Sequence, residues 1–149
     1  MIINQGPLLK AAPIADMVSD KRREHGVSWG LTECGYDIRI KQDTWMFFGR
    51  RFVKASTIER FQMPRHLMGK LLNKSTWARL GVDASMTTNI EPGWRGYLTL
   101  ELRYAGFWPI KIPAGAGIAQ VMFEEIQVPV IYEGHYQDQE DRPVDAILA

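Results

Sequence analysis

The sequence predicts a mainly β domain, a barrel or a sandwich, and three observations carry that expectation. Apolar stretches of strand length recur at close spacing from residue 36 to residue 132. Glycine and proline punctuate them, at Gly49, Pro64, Pro92, Gly93, Gly106, Pro109, Pro113, Gly115, Gly117 and Pro129. Only one segment carries clear helical spacing. It covers residues 7–24, with Leu8, Leu9, Ala12, Ile14, Ala15 and Val18 as the apolar stripe and Lys21, Arg22 and Arg23 as a basic end. Pro13 divides it, so the regular helix is expected from Ile14 onward.

The strands are expected at residues 36–40, 45–48, 52–53, 96–104, 108–112, 118–126 and 128–132. A second helical turn is expected at residues 74–80, with Asn73 as its cap. Residues 133–149 are polar and acidic, and they read as a C-terminal lid that orders only against something else. At 149 residues the chain fits one domain spanning 1–149, long enough to bury a core. No run approaches the ~18 apolar residues of a membrane span, and the first residues lack a signal peptide's pattern. The single cysteine, Cys34, excludes an internal disulfide and suits a reducing cytoplasm.

The net charge of +1 hides a split: residues 1–80 hold 14 Lys and Arg against 7 acids, and the remainder holds 4 against 10. The cations are scattered, which argues against nucleic acid and fits either a small polyanion, such as a nucleotide's phosphates, or an unevenly charged surface. His25, His66, His135 and Cys34 are dispersed, and no HxE precedes a PCxxC. A catalytic zinc is therefore not expected.

Three segments carry candidate chemistry. NKSTWARLGV, residues 73–82, puts Lys74, Ser75, Thr76 and Arg79 on a turn leading into a helix: either an anion site or a capped surface helix. EPGWRG, residues 91–96, joins a tight turn to Trp94, which offers a flat face for a sugar or base, or else fills a hairpin corner. The alternating YLTLEL that follows places Glu101 mid-strand, where a carboxylate is costly without a partner or a purpose.

In this order NKSTWARLG, IEPGWRGYLTLEL and PAGAGIAQVMFEEI resemble the dCTP deaminase branch of the dCTP deaminase–dUTPase superfamily. GLTECGYDIRI near the start and YEGHYQDQ near the end agree with it, so the resemblance covers residues 30–139. It implies a distorted, dUTPase-like β-barrel in a homotrimer, with active sites between subunits. It also implies hydrolytic conversion of dCTP to dUTP and ammonia in the cytoplasm, without zinc and with Mg²⁺ carried on the nucleotide phosphates. Glu101 would activate water, Ser75 would help hold it and Arg79 would steady the charge. Lys74 and Thr76 would lie near the phosphates, and Thr87 beside the base. Glu91 and Trp94 would meet the deoxyribose, and Tyr132, His135 and Gln139 would close over the nucleotide. Two alternatives stand beside this reading. One is a dUTPase, or a bifunctional enzyme giving dUMP. The other is a catalytically silent nucleotide-binding regulator. The nucleotide partner expected on the resemblance is dCTP, with dUTP or dTTP as further candidates.

Overall fold

The computed structural model describes residues 1–148 and is mainly β. Its elements in order are β1 (Ile2–Ile3), α1 (Gln5–Ala11), β2 (Lys21–Glu24), β3 (Val27–Leu31), β4 (Tyr36–Arg39), β5 (Thr44–Met46), β6 (Phe52–Gln62) and β7 (Leu67–Asn73). Then follow α2 (Ser75–Ala78), β8 (Val82–Asp83), a 3-10 turn (Ser85–Thr87), β9 (Asn89–Ile90), β10 (Arg95–Tyr104), β11 (Ile110–Ile112) and β12 (Gly117–Glu125).

Among the described residues three sheets are formed. The largest runs β2-β3-β4-β12-β7-β9, with β1 also on β12. β12 is its axis because its sequence alternates: Val121 and Phe123 are buried while Gln120, Met122 and Glu124 are partly exposed. β4 borders the first half of β12, β1 borders the second, and β7 runs along the opposite edge. The second sheet, β6-β10-β8, is a long antiparallel ribbon with a short third strand, and β11 pairs with β5 in the third. Ile38, Phe61, Leu100, Leu102, Val121 and Phe123 are completely buried between them, and each such side chain contributes about 1.5–3 kcal/mol.

The ribbon is irregular at one place. The β6–β10 register shifts between Tyr97 and Thr99, and the Thr57 hydroxyl fills the gap. It accepts the Leu98 N–H at 3.0 Å and donates to the Glu59 carbonyl at 2.8 Å.

Several expectations need correction. The regular helix is α1, N-terminal to Pro13 rather than after Ile14. It ends at Ala12, which turns left-handed (φ 47°) and bonds back to the Leu8 carbonyl. Ile14 bridges to Phe61 instead, and Lys21–Glu24 is strand. The reason is the His25–Gly26 turn, with φ of 52° and 76°, which closes a two-residue hairpin onto β3. Residues 128–132 form no strand; Val130 and Tyr132 donate singly to the carbonyls of Arg65 and Pro92. Asn73 does not cap α2. Its amide bonds Asp83 and accepts the Ala84 N–H, tying down the loop beyond, and Lys74 holds the cap position.

The tail finds partners on its own chain. Gln139 bridges to Gly96, the Tyr97 N–H donates to the Gln139 carbonyl, and the Asp138 N–H donates to the Arg95 carbonyl. Gly96 (φ 138°) permits this approach, because a Cβ there would meet the Gln139 backbone. Ala149 lies outside the described residues.

Candidate active site

A cleft of about 400 Å³ opens over the β6–β10 ribbon. Lys54 of β6 and Thr99 and Glu101 of β10 form its floor. Thr87, Asn89, Ile90, Glu91 and Trp94 bound it from the loop before β10, and Tyr132, Tyr136, Gln139 and residues 144–146 cover it from the tail.

Glu101 arrives there by strand alternation. Leu100 and Leu102 are completely buried on one face of β10, and Glu101 projects half-buried from the other. Its backbone N–H donates to the Thr87 hydroxyl at 2.9 Å, which pins the strand to the 3-10 turn. Desolvation pushes the carboxyl above its ordinary value of 4.5, and the nearby Lys54 ammonium pulls the other way. Among the described residues no cation stands within ion-pairing distance of this carboxylate.

The turn before β10 places the rest. Residues 91–94 close a β-turn in which the Trp94 N–H donates to the Glu91 carbonyl and Gly93 takes φ 73°. Glu91 is left exposed at the rim, and Trp94 is driven inward to 5% exposure. Its ring packs against Phe61 at 6.0 Å, and its indole N–H donates to the Tyr136 carbonyl at 2.6 Å. Trp94 is therefore largely a core residue whose edge reaches the cleft. Gln139 sits opposite Thr99, whose hydroxyl bonds its amide oxygen at 3.2 Å.

The structure thus brings Glu101, Thr87, Glu91, Trp94, Tyr132 and Gln139 together around one cleft. It does not bring Lys74, Ser75, Thr76, Arg79 or His135 there. The first four lie on and beside α2, which follows β7 of the largest sheet and is anchored by Trp77, whose indole N–H donates to the Gly117 carbonyl at 2.7 Å. Ser75, Thr76 and Arg79 are exposed. Lys74 is not free for a phosphate in this state, since its ammonium is held by Asp37 and by the Ser28 hydroxyl. His135 is exposed on the tail.

The sequence reading missed Lys54 and Tyr136. Lys54 was legible in principle: in FVKASTIER it alternates with the buried Val53 and Ala55, which a longer strand than 52–53 would have shown. Among the described residues no group of three or more His, Cys, Asp or Glu side chains is placed to hold a metal ion, and no helix is long and apolar enough to cross a membrane.

The fold is one that solved structures share. The chain shares its fold with the native dUTPase of EIAV, at TM-score 0.56 and 18% identity over 90% of this chain and 96% of that one. It shares it equally with the 2′-deoxycytidine 5′-triphosphate deaminase of Agrobacterium tumefaciens, at TM-score 0.58 and 17% identity over 85% of this chain and 49% of that one. Within this dUTPase-like fold the sequence is decisive. The dCTP deaminase-like family matches residues 37–126, and the chain belongs to that family. The dCTP deaminase of Herpetosiphon aurantiacus is 36% identical to it over 85% of this chain and 86% of its own length.

Proposed function

We propose that this protein is a zinc-independent dCTP deaminase that converts dCTP and water to dUTP and ammonia. The observation that carries the reading is Glu101: a half-desolvated carboxylate on a strand, facing a cleft, with no cation paired to it among the described residues. Family membership supports it independently.

The chemistry follows from proton bookkeeping. Water adds to C4 of the cytosine ring as Glu101 takes its proton and delivers it to N3. The same carboxylate then takes the second proton and passes it to the amino group. The C4–N bond breaks, ammonia departs and the 4-oxo ring remains. One carboxyl whose pKa is raised by burial serves both as base and as acid. Thr87 keeps the Glu101 backbone in register beside the base, and Glu91 at the rim would accept a hydrogen bond from the sugar. Tyr132, Gln139 and the rest of the tail would form the cover from about residue 133.

Ser75, Thr76 and Arg79 would complete a neighbour's site in a homotrimer. Their exposure on α2, away from their own chain's Glu101, supports that arrangement. Lys74 would have to exchange Asp37 for a phosphate, and His135 would have to turn inward with the tail. The closed barrel, the threefold assembly and the cytoplasmic setting belong to the same reading. Among the described residues no carboxylate cluster is placed to cage a metal ion, so Mg²⁺ would enter as part of the nucleotide, screening the phosphates' charge.

A second reading has one observation in its favour. Glu91 lines the same cleft as Glu101, as a bifunctional enzyme running dCTP to dUMP would require. Supplying dCTP and, separately, dUTP while following ammonia and pyrophosphate tests both. Ammonia without pyrophosphate, with dUTP left intact, is the expected result. Matched release of both products would move the assignment to the bifunctional enzyme, and no ammonia at all would overturn deamination.

A further inference from the structure

Lys54 faces two carboxylates and has one charge to give. In the β6–β10 ladder it lies directly opposite Glu101, so the two side chains stand on one face of the ribbon as a cross-strand pair. Its ammonium is nevertheless bound to Asp145 in the tail. That contact is set by backbone as well as by charge: the neighbouring Val144 N–H donates to the Thr99 hydroxyl at 3.0 Å, which delivers Asp145 to the end of Lys54. All three charged groups line the same cleft.

The surrounding groups leave this triangle distinct. Glu91 is at the far rim, on the loop before β10, and Tyr132 and Tyr136 contribute hydroxyl-bearing rings from the tail. Arg103 lies two residues along β10 from Glu101, opposite Asp83 of β8, and outside the cleft. Among the described residues no histidine lines it.

We propose that Lys54 is a positioning residue for Glu101 and that Asp145 competes with Glu101 for it, so that the seating of the tail sets the charge felt by the reacting carboxylate. With the tail seated, Asp145 neutralises Lys54 and Glu101 is the stronger base, suited to carrying protons to N3 and to the leaving amine. With the tail withdrawn, Lys54 turns to Glu101, holds it as an anion against β6 and weakens it as a base. Closure and proton affinity are then coupled through one lysine. The lowering effect of Lys54 on Glu101 agrees in sign. The pair with Asp145 is solvent-exposed, as a contact that must be exchanged in each cycle should be.

The inference rests on the proposed function for its kinetic meaning, but its first test does not need turnover. The carboxyl carbon of Glu101 is titrated by ¹³C NMR in the full chain, its resonance assigned by loss in Glu101→Gln. Lys54→Met is expected to raise the Glu101 midpoint by roughly 0.5–1 pH unit, Lys54→Arg to restore it, and Asp145→Asn to lower it. Asp145 is exposed, so that variant leaves folding untouched, and Lys54→Gln stands in should the methionine variant not fold. The acid limb of kcat/KM for dCTP should move in the same directions. Midpoints that coincide in wild type, Lys54→Met and Asp145→Asn would overturn the coupling, even if dCTP is deaminated. Midpoints that move in a protein that releases no ammonia from dCTP would uphold the coupling and sink the assigned reaction instead.

Discussion

Two glutamates on the β6–β10 ribbon are desolvated, and their surroundings differ in one respect. Glu59, on β6, is 5% exposed and fully partnered: it accepts the Arg39 backbone N–H and the Arg39 Nε–H, each at 2.8 Å. The Arg39 guanidinium is itself stacked 3.7 Å from the centre of the Trp29 ring. Glu101, on β10, is anchored through its backbone alone, and its carboxylate looks into a cleft. Burial raises both carboxyls. A carboxylate enclosed by an arginine cannot be reached by substrate and joins sheets; the same group without that enclosure is available for chemistry.

The largest effect should come from Glu101→Gln. The amide keeps the shape and the bond to Thr87 but cannot take a proton from water, so ammonia release from dCTP should fall by at least ~10²–10⁴. Nucleotide binding measured by calorimetry should persist. A variant keeping a tenth of wild-type turnover would remove the distinction drawn between the two glutamates.

Arg39→Leu attacks the other side of the comparison. It leaves Glu59 buried without its cation, which should cost about 3–5 kcal/mol in urea unfolding at neutral pH. Because Glu59 can escape the penalty by taking a proton, the loss should shrink as the pH falls through the acidic range. A loss below about 1 kcal/mol would show that water reaches Glu59 and that the pair is ornamental to the fold.

How far this contrast was legible in the sequence depends on the separation of the partners. Glu101 stood out because YLTLEL is a strand by its own alternation, and an acid within it is conspicuous without any tertiary knowledge. Glu59 did not, since its meaning lies in Arg39 twenty residues earlier and in Trp29 beyond that. The same limit hid Lys54, whose importance comes only from the register that sets it opposite Glu101. The turn expected within residues 91–96 and the helical turn expected within 74–80 are found at 91–94 and 75–78, but the sequence could not say that α2 lies outside the cleft that the turn helps to line. The hairpin at His25–Gly26 escaped because its residues are not the Asn-Gly or Asp-Gly pair that announces such turns. The strongly helical spacing of residues 7–24 was then free to mislead.

The tail gives a smaller test. Truncation after Ile131 removes Tyr136, whose carbonyl satisfies the buried Trp94 N–H, along with the exposed pairs Arg95–Asp138, Lys41–Asp141 and Lys54–Asp145. The exposed pairs contribute little. The Trp94 hydrogen bond should dominate, at about 1–2 kcal/mol in urea unfolding of the empty protein. Turnover should fall far more than stability, since the cover over Glu101 is lost. A stability loss comparable with that of Arg39→Leu would mean that the tail belongs to the core rather than to the site.

The smallest expected effect separates the two glutamates by pH alone. Glu101 has a folded-state pKa above its unfolded value, so its favourable contribution is complete below the unfolded pKa near 4.5 and is lost as the pH rises through the folded one. At neutral and mildly alkaline pH the native state holds a half-desolvated carboxylate that the unfolded chain would hydrate fully. Glu101→Gln removes this ionisation. Its Tm should therefore exceed that of wild type at pH 8, and the gap should narrow steadily until the two coincide near pH 4. Glu59→Gln should behave differently, because Arg39 donates to both Glu59 oxygens and an amide offers only one acceptor, so a buried Arg39 donor is left facing an N–H group and the variant is the less stable one at pH 8. Opposite signs for the two substitutions at pH 8, read by scanning calorimetry, are the expected result. A Glu101→Gln protein less stable than wild type at that pH would show that Glu101 has a structural partner after all, and the functional reading of the unpaired carboxylate would fail with it.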